Sequence, residues 1–370
     1  MASRTTKLMI PGPIDLAPDV LETLGQQVIP HYGAEWVDIY TRAREGVRRY
    51  AGTEGDVFLL SASGSAGIDA AVGTLFAPDE RVLVIVNGYF SDRLLLIARG
   101  NGLRADPFTV GPGEIATPTA LRPLLASGDY SGLLVCHSET ATGALNPVAE
   151  ICKMAREFEV TILVDSVSSL GACETNMDEW NVAMCCTASQ KALGGPPGVA
   201  PIAVAPFAWD RIRSHEATGR GWYTDLRTWK KFVDGMPDYH PQPATMSVSV
   251  IRALATSIAS QQSETLKARY ARMARSAAEF RARMRSLGFR SVAAEENASP
   301  SVTAFFPPAS REDEAPAIID HLREEAGLII TGGMGELAGK VVRIGHMSDL
   351  AYGPYADLLL ETVESYLQSQ

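Results

Sequence analysis

The sequence predicts an α/β protein: a large domain with a mostly parallel sheet flanked by helices, then a smaller C-terminal α+β domain. Three observations predict it. Short apolar runs without internal alternation recur between residues 56 and 205, as strands buried on both faces of a parallel sheet require. Amphipathic stretches separate those runs at the spacing of strand–helix–strand units. After Pro243 the texture changes to a long helical pattern followed by shorter mixed elements.

In chain order, residues 57–60 read as a strand and 67–75 as a helix. Residues 81–86 are a strand rich in β-branched side chains, and 92–99 a helix. A strand at 133–136, a helix at 148–158 and a strand at 161–164 follow, then apolar runs at 182–187 and 202–204. From Met246 to about Leu287 no proline interrupts a pattern dense in Ala and Arg, and Gly288 fits a helix stop. Residues 301–306 form a strand ending at Pro307-Pro308. A helix at 315–326, strands at 328–330 and 341–344, and a helix at 355–368 close the chain. The expected division is an N-terminal arm at 1–15, a large domain at 16–262 and a small domain at 263–370.

The length of 370 residues suits two domains. An apolar fraction of 46% with 21% charged residues is ordinary globular composition and excludes disorder, collagen and a disulfide-held mini-scaffold. The net charge of −10 opposes general nucleic-acid binding, which needs a basic footprint. Cys136, Cys152, Cys173, Cys185 and Cys186 form an odd, scattered set without zinc-site spacing, and read as small core residues from a reducing compartment. The stretch MASRTTKLMIPGP reaches Pro11 before an apolar run long enough for a signal peptide. No run of about 18 apolar residues exists to span a membrane. A cytoplasmic protein is expected.

The most informative stretch is residues 161–198, TILVDSVSSLGACETNMDEWNVAMCCTASQKALGGPPG. Asp165 ends one apolar strand. Ser189, Gln190 and Lys191 follow the next, before a Gly-Gly-Pro-Pro-Gly turn. Ligands of open α/β sheets sit at the carboxyl ends of strands, so Asp165 and Lys191 are expected on one rim facing one crevice. Taken singly, they read as a helix-capping Asp and an exposed Lys. Their pairing favours a site, and of seven lysines Lys191 alone directly follows a buried strand.

A carboxylate and a lysine so placed point to pyridoxal phosphate. The lysine joins the aldehyde as a Schiff base and later shuttles a proton. The carboxylate keeps the pyridine nitrogen protonated, which makes the ring an electron sink. The phosphate needs donors at a helix start, and SASGSAGIDA at 61–70 offers Ser63, Gly64 and Ser65. That stretch alone is equally an ordinary N-cap, and it matches neither GxGxxG nor a P-loop.

Together these segments resemble the class V (fold type I) aminotransferases, in the branch of alanine–glyoxylate, serine–glyoxylate and serine–pyruvate enzymes. The resemblance runs collinearly from MIPGPIDLAPDVL to GKVVRIGH through SASGSAGIDAA, NGYFSDR, CHSETATGALNP, LVDSVSSLGA and TASQKALGGPPG. It implies that Lys191 and Asp165 are catalytic, Asp165 pairing with the ring nitrogen. Val167 and Phe90 would pack on the two ring faces, and Thr140 would donate to the phenolic oxygen. Ser63, Gly64 and Gln190 would hold the phosphate, with Ser65 nearby, where the family often has His. Arg343 would clamp the substrate carboxylate, a task suited to a planar guanidinium. In a homodimer with shared sites, Thr245 would reach the partner's phosphate. The usual tyrosine three positions earlier is replaced by Gln242, with Tyr239 as the other candidate.

In VIPHYGAEWVDIY, His31, Tyr32 and Trp36 would line the substrate pocket or form an aromatic cluster at the dimer interface. The resemblance implies ping-pong transfer of an amine from alanine or serine to glyoxylate or pyruvate. Three alternatives stand beside it. One is a transaminase for aminoethylphosphonate or pyridoxamine with pyruvate. Another is a lyase of the same fold, such as a cysteine desulfurase, disfavoured because no cysteine follows Cys186. The third is a non-catalytic dimer.

Overall fold

The computed structural model describes residues 6–128, 130–215 and 221–369. Residues 1–5 of the expected arm lie outside the described residues. The central sheet holds β1 (Asp56–Leu60), β2 (Arg81–Val86), β3 (Arg104–Thr109), β4 (Gly132–Cys136), β5 (Thr161–Asp165), β6 (Met184–Cys186) and β7 (Ala200–Val204). Their order is β3-β2-β4-β5-β6-β7-β1. From β3 to β6 the neighbours pair in parallel, whereas β7 is antiparallel to both β6 and β1. Every residue of β4, β6 and β7 is buried. That is why these strands read as unbroken apolar runs.

Register places Cys136 of β4 beside Asp165 of β5, and Asp165 beside Cys186 of β6. The carboxyl ends of three adjacent strands are therefore level, and the loops leaving them share one edge. The helix Gly64–Leu75 follows β1 and starts at that edge, its Ser63 hydroxyl accepting from the Ala66 N–H at 3.3 Å. The helix Tyr89–Gly100 follows β2 and starts there as well.

A second apolar cluster gathers Met9, Phe280, Phe289, Phe305, Ile318, Leu322 and Leu359. It lies against an antiparallel sheet in the order Arg290–Ser291, Val302–Phe306, Val342–Gly345, Thr331–Gly332. The helical pattern expected to run unbroken from Met246 to Leu287 is two helices, Val248–Gln261 and Leu266–Ser286. Thr265 starts the second, its hydroxyl accepting from the Ala268 N–H at 3.2 Å, so a local cap breaks the pattern where no Gly or Pro marks it. In that second helix Arg269 is buried and donates to the carbonyls of Gly171 and Ala192. A link is thereby made to the backbone immediately after Lys191.

The arm is an added strand. Lys7–Leu8 pairs in parallel with Leu328–Ile329, and the Gly345 N–H donates to the Met9 carbonyl at 2.7 Å. The chain then crosses the carboxyl edge of the large sheet, where the Lys191 amine donates to the Pro11 carbonyl. Two glycines make the crossing possible. At Gly12 (φ +108) a Cβ would meet Lys191 Cδ at 2.7 Å, and at Gly345 it would meet the Ile10 carbonyl oxygen at 2.1 Å.

Because that second obstacle is backbone, Gly345→Ala has to shift the arm. We expect it to lower unfolding free energy by about 1–3 kcal/mol, the usual cost of overpacking, measured by urea denaturation. A variant as stable as the parent would mean that the arm is not clamped there.

Candidate active site

A cavity of about 250 Å³ opens at the level carboxyl ends of β4, β5 and β6, and its lining includes Ser63, Gly64, Ser65, Phe90, Thr140, Asp165, Val167, Gln190 and Lys191. Nine residues singled out from the sequence thus come together from five separate segments. Arg343 stands next to them. It is buried, with Nη1 donating to the Thr140 carbonyl at 3.2 Å and Nε to the Gly332 carbonyl at 2.7 Å.

The electrostatics of the cavity are those of incompletely neutralised buried charge. Burial pushes the Asp165 carboxyl up to about 6; the Val167 N–H, donating to Oδ1 at 2.9 Å, and the Lys191 charge oppose the rise. Burial also pulls the Lys191 amine down to about 8, and the charge of Arg343 pulls the same way. Arg343 is itself lowered to about 10 by burial, against the opposing pull of Glu139. A buried carboxylate favours a cationic partner and a buried guanidinium an anionic one.

Several residues of the site were not picked out in the sequence. Glu139 is fully buried, and its carboxylate accepts from the N–H groups of Phe90, Ser91 and Ala141 and from the Ser91 hydroxyl. It ties the start of the Phe90 helix to the Thr140 loop. Its signal was a glutamate three residues past the end of an apolar strand, in CHSETATG. Ser168 holds the Thr140 hydroxyl at 2.5 Å. Arg93, Cys136 and Ser138 also line the cavity, and Pro11 and Gly12 cover Lys191.

Other expected residues lie elsewhere. Trp36 does not line the pocket: it is fully buried in the helix Ala34–Ala51, with Nε1 donating to the Gln242 amide oxygen at 3.0 Å. Gln242 is equally buried and donates to the His31 carbonyl at 2.6 Å, so it is used up as a structural link. Tyr32, Tyr239 and Thr245 are exposed, outside the cavity of their own chain. Tyr32 packs on both Tyr239 and His31, and the His31 ring lies 3.5 Å from the Thr245 hydroxyl.

The residues present fit pyridoxal phosphate. Buried Asp165 lacks the cation that the ring nitrogen would bring, Lys191 is a buried amine of lowered basicity, and a helix start supplies N–H donors for a phosphate.

The chain belongs to the class V aminotransferases: the family model described as aminotransferase class-V matches residues 21–335. It is therefore a pyridoxal-phosphate-dependent transaminase of fold type I. An uncharacterized aminotransferase of Methanocaldococcus jannaschii is 34% identical over 92% of this chain and 87% of its own. The alanine–glyoxylate aminotransferase of Callithrix jacchus is 30% identical over 98% of this chain and 88% of its own. The solved structure of alanine–glyoxylate aminotransferase from Nostoc sp. matches with a TM-score of 0.90 and 26% identity, covering 98% of this chain and 96% of that one.

Only an unprotonated amine can capture the cofactor aldehyde. Capture of pyridoxal phosphate by the apoenzyme should therefore speed up with pH and level off above about 8, far below the ordinary lysine value of 10.5. Arg343→Gln removes a charge that lowers Lys191, so the midpoint should move upward. Stopped-flow visible absorbance across pH measures both. A midpoint near the ordinary value, or unmoved by the substitution, would contradict this reading of the site.

Proposed function

We propose that the enzyme transfers the amino group of a small amino acid, alanine or serine, to glyoxylate or pyruvate. The observation that carries the reading is one cavity lined by both Lys191 and Asp165, with a helix start at Ser63–Ser65 and a buried guanidinium, Arg343, beside Thr140. The likeness over nearly full length to alanine–glyoxylate aminotransferases supports the choice of substrates.

On this reading each residue has one task. When bound, pyridoxal phosphate supplies the electron sink and carries the amine between the two half-reactions. Lys191 Nζ takes the proton from the donor's Cα, and its lowered basicity suits a proton shuttle near neutral pH. Asp165 holds the proton on the ring nitrogen. Phe90 and Val167 clasp the ring, and the Thr140 hydroxyl, positioned by Ser168, donates to the phenolic oxygen. Arg343 pairs with the carboxylate common to donor and acceptor, which lets one pocket serve both half-reactions. The Pro11 carbonyl accepts from the Lys191 amine whenever that amine is free.

The reading includes a homodimer in the cytoplasm, with Tyr32 and Thr245 reaching the partner's site. Exposure of these residues and of Tyr239 beside one another supports the shared face, and five free buried cysteines support a reducing compartment. The division into an arm at 1–15, a large domain at 16–262 and a small one at 263–370 is supported by two separate apolar clusters.

Two experiments test it. The purified protein should be yellow, lose that visible band with alanine or serine, and regain it with glyoxylate or pyruvate. Lys191→Ala should cut turnover about a thousandfold or more, the scale of a lost general acid–base group. Bleaching by aminoethylphosphonate or pyridoxamine alone would reassign the donor. For the shared site, Lys191→Ala and Thr245→Glu chains should each be weak alone. Mixed and reassembled, they should regain about one-quarter of wild-type activity, because half of the dimers then carry one intact site. No recovery on mixing would place Thr245 outside the partner's site.

A further inference from the structure

Arg93 stands at the third position after Phe90 in the helix Tyr89–Gly100, half-buried against the cavity. Its guanidinium lies over the Phe90 ring at 4.9 Å and the Tyr89 ring at 5.2 Å, and Nη1 donates to the Ser65 hydroxyl at 3.2 Å. Two aromatic faces and one hydroxyl hold the fork beside the first turn of the helix Gly64–Leu75.

The charge balance at that end of the cavity is otherwise incomplete. A phosphate monoester carries nearly two negative charges near neutral pH. Against it a helix start offers only about half a positive charge, and Ser63, Ser65 and Gln190 are neutral. Among the described residues lining the cavity, the cationic side chains are Arg93 and Lys191. Lys191 is committed to the cofactor's aldehyde and turns away toward the Pro11 carbonyl when free. Arg343 is outside that lining, held on the Thr140 and Gly332 carbonyls.

We propose that Arg93 is the counter-charge of the cofactor phosphate, paired with it across the Ser65 hydroxyl at the helix start. This rests on the placement of the phosphate at Ser63–Ser65. The contact with Phe90 gives the same residue a second consequence: the ring that packs on the cofactor also fixes the fork that holds its phosphate, so both groups are set by one helical turn. Arg343 and Arg93 then divide the anions of the reaction, the substrate carboxylate to one and the cofactor phosphate to the other.

Apoenzyme titrated with pyridoxal phosphate and with pyridoxal, which lacks only the phosphate, tests this through the visible absorbance of the bound ligand. Arg93→Gln should weaken pyridoxal phosphate about tenfold to a hundredfold, the scale of a charge-assisted hydrogen bond, and leave pyridoxal within about twofold. Arg93→Lys, which keeps the charge and loses the fork, should fall between parent and Arg93→Gln. Equal loss for both ligands would overturn the proposal in favour of simple support of Phe90. Unchanged affinity for pyridoxal phosphate, or an effect confined to the Michaelis constant of a dicarboxylic acceptor, would overturn it too. If Arg93→Gln fails to fold, the same ratio is read on Arg93→Lys, where a parent-like ratio counts against the proposal. Failure of the phosphate placement itself would show separately, as parent apoenzyme that binds the two ligands equally.

Discussion

A carboxylate enclosed at the end of β5, without a full counter-charge of its own, sets the terms for the rest of the molecule. Taking an ion out of water costs several kcal/mol unless it is paired and hydrogen-bonded. Asp165 has one backbone donor, the charge of Arg93 and a lysine that burial has itself weakened as a cation. The sign of the resulting cost follows from its pKa. Its folded value of about 6 lies above the ordinary 3.8, so the ionised group lowers stability at neutral pH, and that penalty fades as pH falls through about 6. On the proposed reading a cationic ring nitrogen would reverse the balance, because it would pair with the charged form. Cofactor binding and folding would then be linked through one side chain, with the bound state the more stable one.

The walls of the cavity show how the chain keeps that charge dry and fixed. The arm closes one side: up to Leu8 it pairs with Leu328–Ile329, and two residues after Met9 its backbone meets Lys191. Arg269 reaches from the following helix to the carbonyls of Gly171 and Ala192, so the loops after β5 and β6 are pinned from behind. Glu139 does the same for the loop after β4, accepting from four donors in the Phe90 helix and its own loop. Most of these are side chain to backbone bonds between segments far apart in sequence. They tie the turns that carry Thr140 and Lys191 to the elements around them, so the required geometry is kept more tightly than free loops allow.

That distinction also explains what could be read in the sequence. The strands buried on both faces announce themselves, because a fully covered strand tolerates only apolar residues. β3 did not: Arg104–Thr109 pairs with β2 alone, and its Arg, Asp and Pro suit a half-exposed edge. The helix Ala34–Ala51 was missed because it starts at Gly33, where no side-chain cap is made, behind a stretch that reads as loop. Asp165 and Lys191 were legible because strand ends define a common edge before any tertiary contact is known. Arg93 and Glu139 were not, because their meaning lies in contacts made across separate elements. Trp36 and Gln242 were read as site candidates from their place in the chain, whereas their mutual hydrogen bond closes them into the core.

The charges themselves explain why this arrangement serves two half-reactions without rebuilding. Along the cavity the protein offers a cationic fork near the helix start, an anion at the middle and a second cationic fork beside Thr140. On the proposed reading each faces a group of opposite sign, and none of the three changes charge when the amine moves from donor to acceptor. The one group that would gain and lose a proton on that reading is Lys191, and it is also the one whose basicity its surroundings bring toward neutrality. A fixed frame of permanent charge around a single movable proton costs little reorganisation at the moment of reaction, since the opposing dipoles are already in place before the substrate arrives.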